Sequence, residues 1–87
     1  MTLDQAMITL KDFIERRFAI SHDDPDFNED VHLFQYGYID SFGAVELTQF
    51  VEHTFGIQVN DSDLIVYPMN TVREIAAFVV GRQTEGR

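Results

Sequence analysis

Two four-residue signals decide most of what this chain can become. Thr2-Leu3-Asp4-Gln5 and Thr71-Val72-Arg73-Glu74 each place a threonine three positions ahead of a glutamine or glutamate. At that spacing the hydroxyl caps the start of a helix while the longer side chain reaches back to the cap residue. Apolar residues follow each signal at helical intervals: Leu3, Ala6, Met7, Leu10, Phe13, Ile14 and Phe18 after the first, and Val72, Ile75, Ala76, Phe78 and Val79 after the second. The spacing predicts helices over about 3–18 and about 71–80, the second ended by Gly81.

Asp40 is a good N-cap for a helix over about 41–55, and Phe55-Gly56-Ile57 is a good stop. Gly56 suits the left-handed closing position, and Ile57 can supply the hydrophobic contact that accompanies it. Asn60 or Asp61 can cap a short helix over about 61–67, stopped by Pro68. The stretch 19–40 contains His22-Asp23-Asp24-Pro25-Asp26 and only scattered apolar residues (Phe27, Val31, Leu33, Phe34), so it is predicted as a long anchored loop. Connections of that length in small domains usually have a functional reason. The expectation is an all-α fold: one domain over 1–87, a small four-helix bundle with a long loop between helices I and II and a short helix III.

Eight phenylalanines and 45% apolar residues supply one modest core. The absence of cysteine excludes disulfides, thiolate metal sites and a cysteine nucleophile. The N-terminus lacks the pattern of a signal peptide, and no apolar run approaches the roughly 18–20 residues of a membrane span, so a cytoplasmic protein is expected; a monomer is the expected state. The formal charge of −9 is unevenly spread, because residues 19–70 carry ten Asp and Glu and no Lys or Arg. Such a surface repels nucleic-acid phosphates and favours basic patches on partner proteins.

Within the acidic segment, Tyr36-Gly37-Tyr38-Ile39-Asp40-Ser41-Phe42-Gly43 sets a serine at a loop–helix junction. Ser41 can be a cap, a nucleophile or an attachment point. Only one of Asp40 and Ser41 is needed as cap, which leaves the other free to point outward. A nucleophile needs a base in reach. His53 lies too far along the same helix, while His22 and His32 sit in no recognisable catalytic context. At about 100° per residue, Ala44, Leu47, Val51 and Phe55 form a core stripe, whereas Phe42, Val45 and Gln49 share a side with Ser41. Apolar residues there, rimmed by Glu46, Glu52 and His53, mark a contact patch that should be partly exposed.

Gly37-Tyr38-Ile39-Asp40-Ser41-Phe42 with Val45-Glu46-Leu47, Glu52-His53-Thr54-Phe55-Gly56-Ile57-Gln58-Val59, and Thr71 to Val79 together resemble the acyl carrier proteins and their aminoacyl and peptidyl relatives. The resemblance covers about residues 3–80, in order and spacing. It implies that Ser41 receives 4′-phosphopantetheine from coenzyme A through a phosphopantetheinyl transferase, with Asp40 supporting. The arm's thiol would carry an acyl or aminoacyl thioester. Phe42, Val45, Glu46 and Gln49 match the family's recognition helix. Partners implied are that transferase, a loading ligase, and a downstream transferase or synthase with basic docking surfaces. The chain would be a carrier and not an enzyme. A phosphate at a helix N-terminus also agrees with the helix dipole and its free N–H groups.

Gly43, Thr48, Gln49 and His53 stand where fatty-acid carriers often have acidic or aliphatic residues, and Phe42 replaces the commoner leucine. Gly43 should also weaken the first helical turn by up to about 1 kcal/mol. These departures point to a stand-alone carrier in a specialised polyketide, aminoacyl or modified-lipid pathway. The rival reading is an unmodified acidic adaptor for a basic protein. Asp24, Asp26 and Asn28 match the start of a calcium loop, but Glu29 and Gln35 break the pattern, and no metal site is expected.

Overall fold

The computed structural model describes residues 1–85, apart from the Glu85 side chain; Gly86 and Arg87, included in the single domain expected over 1–87, lie outside the described residues. Four helices run in order: α1 (Leu3–Arg17), α2 (Ser41–Phe55), α3 (Asp61–Val66) and α4 (Val72–Glu85). No strand occurs among the described residues, and the fold is the small all-helical bundle of four helices that the sequence predicts.

Both capping boxes form. Thr2 Oγ1 accepts the Gln5 N–H at 3.2 Å while Gln5 Oε1 accepts the Thr2 N–H at 2.9 Å. At α4, Thr71 Oγ1 accepts the Glu74 N–H at 3.1 Å, and Glu74 Oε1 accepts the N–H groups of Asn70 and Thr71 at 3.0 and 3.2 Å. The short α3 is capped from within, with Asp63 Oδ2 accepting the Asn60 N–H at 2.9 Å. It ends one residue sooner than its spacing predicts, because Tyr67 is already extended ahead of Pro68.

The core forms where α1 and α4 pack on each other and α2 closes one side. Ala6, Met7, Leu10 and Ile14 of α1 meet Val72, Ile75, Ala76 and Val79 of α4, and Leu47, Val51 and Phe55 of α2. Leu10, Ile14, Leu33, Val72 and Val79 are fully buried, and each such aliphatic side chain stabilises the fold by about 1.5–3 kcal/mol. Phe13 of α1 stacks on Phe50 of α2, with ring centroids 3.9 Å apart.

Residues 18–40 have no helix, yet they are fixed to the bundle. Leu33 donates its N–H to Asn70 O at 2.8 Å, and its own carbonyl accepts from Tyr38 and Ile39 at 3.0 and 3.1 Å. The Glu29 carbonyl accepts the Arg73 N–H at 3.0 Å. Lys11 pairs with Glu29, and Arg73 with Asp30, so two loop carboxylates are spent on α1 and α4. The Lys11 ammonium holds the Glu29 carboxyl below its ordinary range, and the Arg73 guanidinium does the same for Asp30.

Two expectations need correction. Gly81 does not end α4, which continues through Glu85. A glycine costs a helix about 1 kcal/mol relative to alanine, but the residues after it make tertiary bonds. Arg82 Nη2 donates to Asp63 at 2.6 Å and Gln83 Nε2 to Phe55 O at 3.1 Å, tying the last turn to α3 and α2. Ala44 packs against the core as its stripe predicts but is only half-buried, and Gly43 beside it is the more deeply buried of the two. Gly43 is moreover a fitted residue and not a weak one: a Cβ there would lie 2.6 Å from Phe18 Cε1 and 2.8 Å from Ile39 Cγ2.

Candidate functional site at the start of the second helix

The chain enters the site through a fixed turn. Gly37 takes φ +76°, the left-handed region that glycine adopts without a steric penalty. Ile39, 3% exposed, then anchors the backbone immediately before the helix. Asp40 is the N-cap, extended at φ −96° and ψ −173°, and its Oδ1 accepts the Gly43 N–H at 2.8 Å. Ser41 is the first residue of α2 and is exposed. The N–H groups of Ser41 and Phe42 fall in the first turn, where no earlier carbonyl of the helix can accept them.

The first turn is held from behind. Phe18 and Ile39 press on Gly43, so the opposite side of the turn, with Ser41 and Phe42, is the side left to solvent. Phe42 is 82% exposed and Val45 57%, so neither α3 nor the loop covers them. Gln49 is exposed on the same face.

Glu46 behaves differently from the other residues of that patch. Arg17, in the last turn of α1, donates to both of its carboxylate oxygens, through Nε and Nη2, at 2.5 Å each. No sequence signal joins residues so far apart in the chain, and Arg17 is the residue that sequence reasoning missed. Leu64 is the second. With Val45, Leu47, Val59, Met69 and Ile75 it lines a groove of about 420 Å³ between α2 and α3, opening beside the Ser41 face.

His53 stands exposed in the last turn of α2, at the far end from Ser41, and the other two histidines are engaged elsewhere. His22 Nδ1 lies 3.4 Å from Glu15, and His32 Nδ1 accepts the Gln35 N–H at 3.0 Å. The side chains of Asp24 and Asn28 accept the backbone N–H groups of Asp26 and Asp30 at 2.8 and 2.9 Å, closing turns in the loop. Asp24 also accepts the Tyr38 hydroxyl at 3.3 Å; burial, with the Asp24 charge added, pushes that phenol up from its ordinary value. Among the described residues no group of three or more His, Asp or Glu is arranged to hold a metal ion, and no helix is long and apolar enough to cross a membrane.

What remains is an exposed serine at a helix N-terminus, capped by its neighbour and flanked by an uncovered apolar patch. A profile of the family described as phosphopantetheine attachment site matches residues 9–79. The chain belongs to that family. No curated protein matches it at a significant level. The phosphopantetheine-attachment family is defined by a covalently attached 4′-phosphopantetheine group, and its domains are carriers and not catalysts. The matched span encloses all of α2 and α3 and most of α1 and α4. The donors at Ser41 fit such a group, since its phosphodiester is an anion and the first turn of α2 presents N–H groups and a positive dipole end.

Proposed function

We propose that Ser41 is the attachment residue, and that this carrier holds an acyl or aminoacyl group and presents it to partner enzymes. The observation that carries the reading is that Asp40, and not Ser41, caps α2, while Ser41 stands exposed at its first position. When bound, the group supplies a terminal thiol that bears the cargo as a thioester.

The chain's own residues do the rest. Asp40 and Gly43 set the helix start, so the Ser41 hydroxyl is offered at a fixed point. With no imidazole beside it, Ser41 depends on a phosphopantetheinyl transferase for a base. In that reaction Ser41 Oγ bonds to phosphorus, the bond to 3′,5′-ADP breaks, and the hydroxyl proton passes to the transferase. The N–H groups of the first turn favour the resulting phosphodiester. Phe42, Val45, Glu46 and Gln49 form the partner-facing side of the helix. The groove beside Val45 gives an apolar place for the first atoms of a cargo chain. Between residues 42 and 51 there is a single carboxylate, Glu46, which supports a specialised pathway over housekeeping fatty-acid synthesis.

The test is intact mass after incubation with coenzyme A, Mg²⁺ and a broad-specificity transferase. One phosphopantetheine per chain, lost in Ser41→Ala, is the expected result. An unmodified chain, or modification that survives Ser41→Ala, overturns the reading.

A further inference from the structure

The face that α2 turns to solvent carries less charge than the acidic segment around it. Among residues 42–51 the sole ionisable side chain is Glu46, and Arg17 grips both of its oxygens. The Arg17 guanidinium also lies 5.5 Å from the centre of the Phe18 ring. Phe18 in turn is pressed against Gly43 in the first turn of α2. The arginine is thus positioned by packing as well as by charge. What the middle of the face then offers is Phe42, Val45 and Gln49, with Leu64 of α3 across the groove, while the exposed carboxylates of Asp40 and Asp61 stand at its edges.

This inference rests on the carrier reading above. We propose that Arg17 sets the docking chemistry of this face: by neutralising Glu46, it fits the middle of α2, between Phe42 and Gln49, to a protein partner whose docking surface there is apolar and uncharged. A free carboxylate pressed onto an apolar surface loses its hydration and gains no partner. Paired with Arg17, Glu46 presents no net charge. A basic docking surface meets the opposite situation, because its lysines and arginines approach Arg17 as like charges and must first displace it from Glu46. Phe42, the most exposed aromatic of the patch, is the anchor, since aromatic residues carry a large share of binding energy when a pocket receives them.

Two broad-specificity phosphopantetheinyl transferases serve as probes, one with an apolar docking surface and one with a basic one. The rate of Ser41 modification is read by intact mass. The apolar-surface enzyme is expected to be the faster, and its rate to change less than about twofold between about 50 and about 500 mM salt. Phe42→Ala slows it about tenfold. Arg17→Ala releases Glu46 and raises the rate of the basic-surface enzyme about threefold or more at low salt, a gain that disappears at high salt. Both substitutions are at exposed positions, and circular dichroism checks that the helices persist. A faster basic-surface enzyme whose rate falls steeply with salt overturns the proposal, as does an Arg17→Ala chain that behaves like its parent. Those results leave Ser41 modified and the carrier reading standing. Modification by neither enzyme removes both.

Discussion

Asp40 Oδ1 accepts the N–H of Gly43 at 2.8 Å, and Ser41, between them in sequence, is left at the exposed first position of the helix. The aspartate does the structural work of a cap, so the serine hydroxyl is free for chemistry. Replacing Asp40 by alanine is expected to lower the unfolding free energy by about 1 kcal/mol, with asparagine restoring most of it. Urea unfolding followed by circular dichroism measures this; equal stability of Asp40→Ala and the parent would show that the cap is idle.

Gly43→Ala sets two effects against each other. Helix propensity favours alanine by about 1 kcal/mol, whereas overpacking against Phe18 and Ile39 costs about 1–3 kcal/mol. The clash is expected to win, giving a net loss of up to about 2 kcal/mol. Part of that loss should vanish when Phe18 is also trimmed to alanine, a coupling that a double-mutant cycle reads directly.

Ala19 closes α1 at φ +54°, with the Ile20 N–H donating to Glu15 O at 2.9 Å. That is the left-handed position in which glycine is at ease and alanine is strained. Ala19→Gly is therefore expected to raise stability by about 0.5–1 kcal/mol, seen as a higher melting temperature. A lower one would mean that the added freedom of the unfolded chain outweighs the relieved strain.

Asp63 is buried beneath Arg82. The Asn60 N–H and the Arg82 guanidinium hold its carboxyl below the ordinary aspartate range, although partial burial opposes them. A depressed folded pKa contributes stability that is present above the unfolded value, near 3.9, and is lost as pH falls through the folded value. The urea midpoint should thus be level near neutrality and decline below about pH 4. Asp63→Asn should be less stable at pH 7 and show a shallower acid decline; an unchanged profile would assign that decline to other carboxylates.

Much of this was legible because the signals are local. The threonine boxes, the Asp40 cap and the Gly56 stop each use residues within four positions, and Gly56 does adopt φ +68°. The exposure of Phe42 and Val45 followed from counting around one helix axis. What escaped depends on distant segments meeting. Nothing near Gly81 announces that Arg82 and Gln83 find partners on α3 and α2. Nothing near Gly43 announces the Phe18 ring, and nothing near Glu46 announces Arg17. Each is a tertiary contact that overrides a propensity or a charge count.

The double use of the Leu33 carbonyl, by the N–H groups of Tyr38 and Ile39, has a dynamic consequence. Local opening that would release those two amides must break both bonds to the backbone of a leucine fully buried in the bundle, so the stretch leading to Ser41 is expected to exchange its amides slowly despite having no helix. An arm carried on Ser41, as proposed above, would therefore swing from a fixed post, with its range set by its own length.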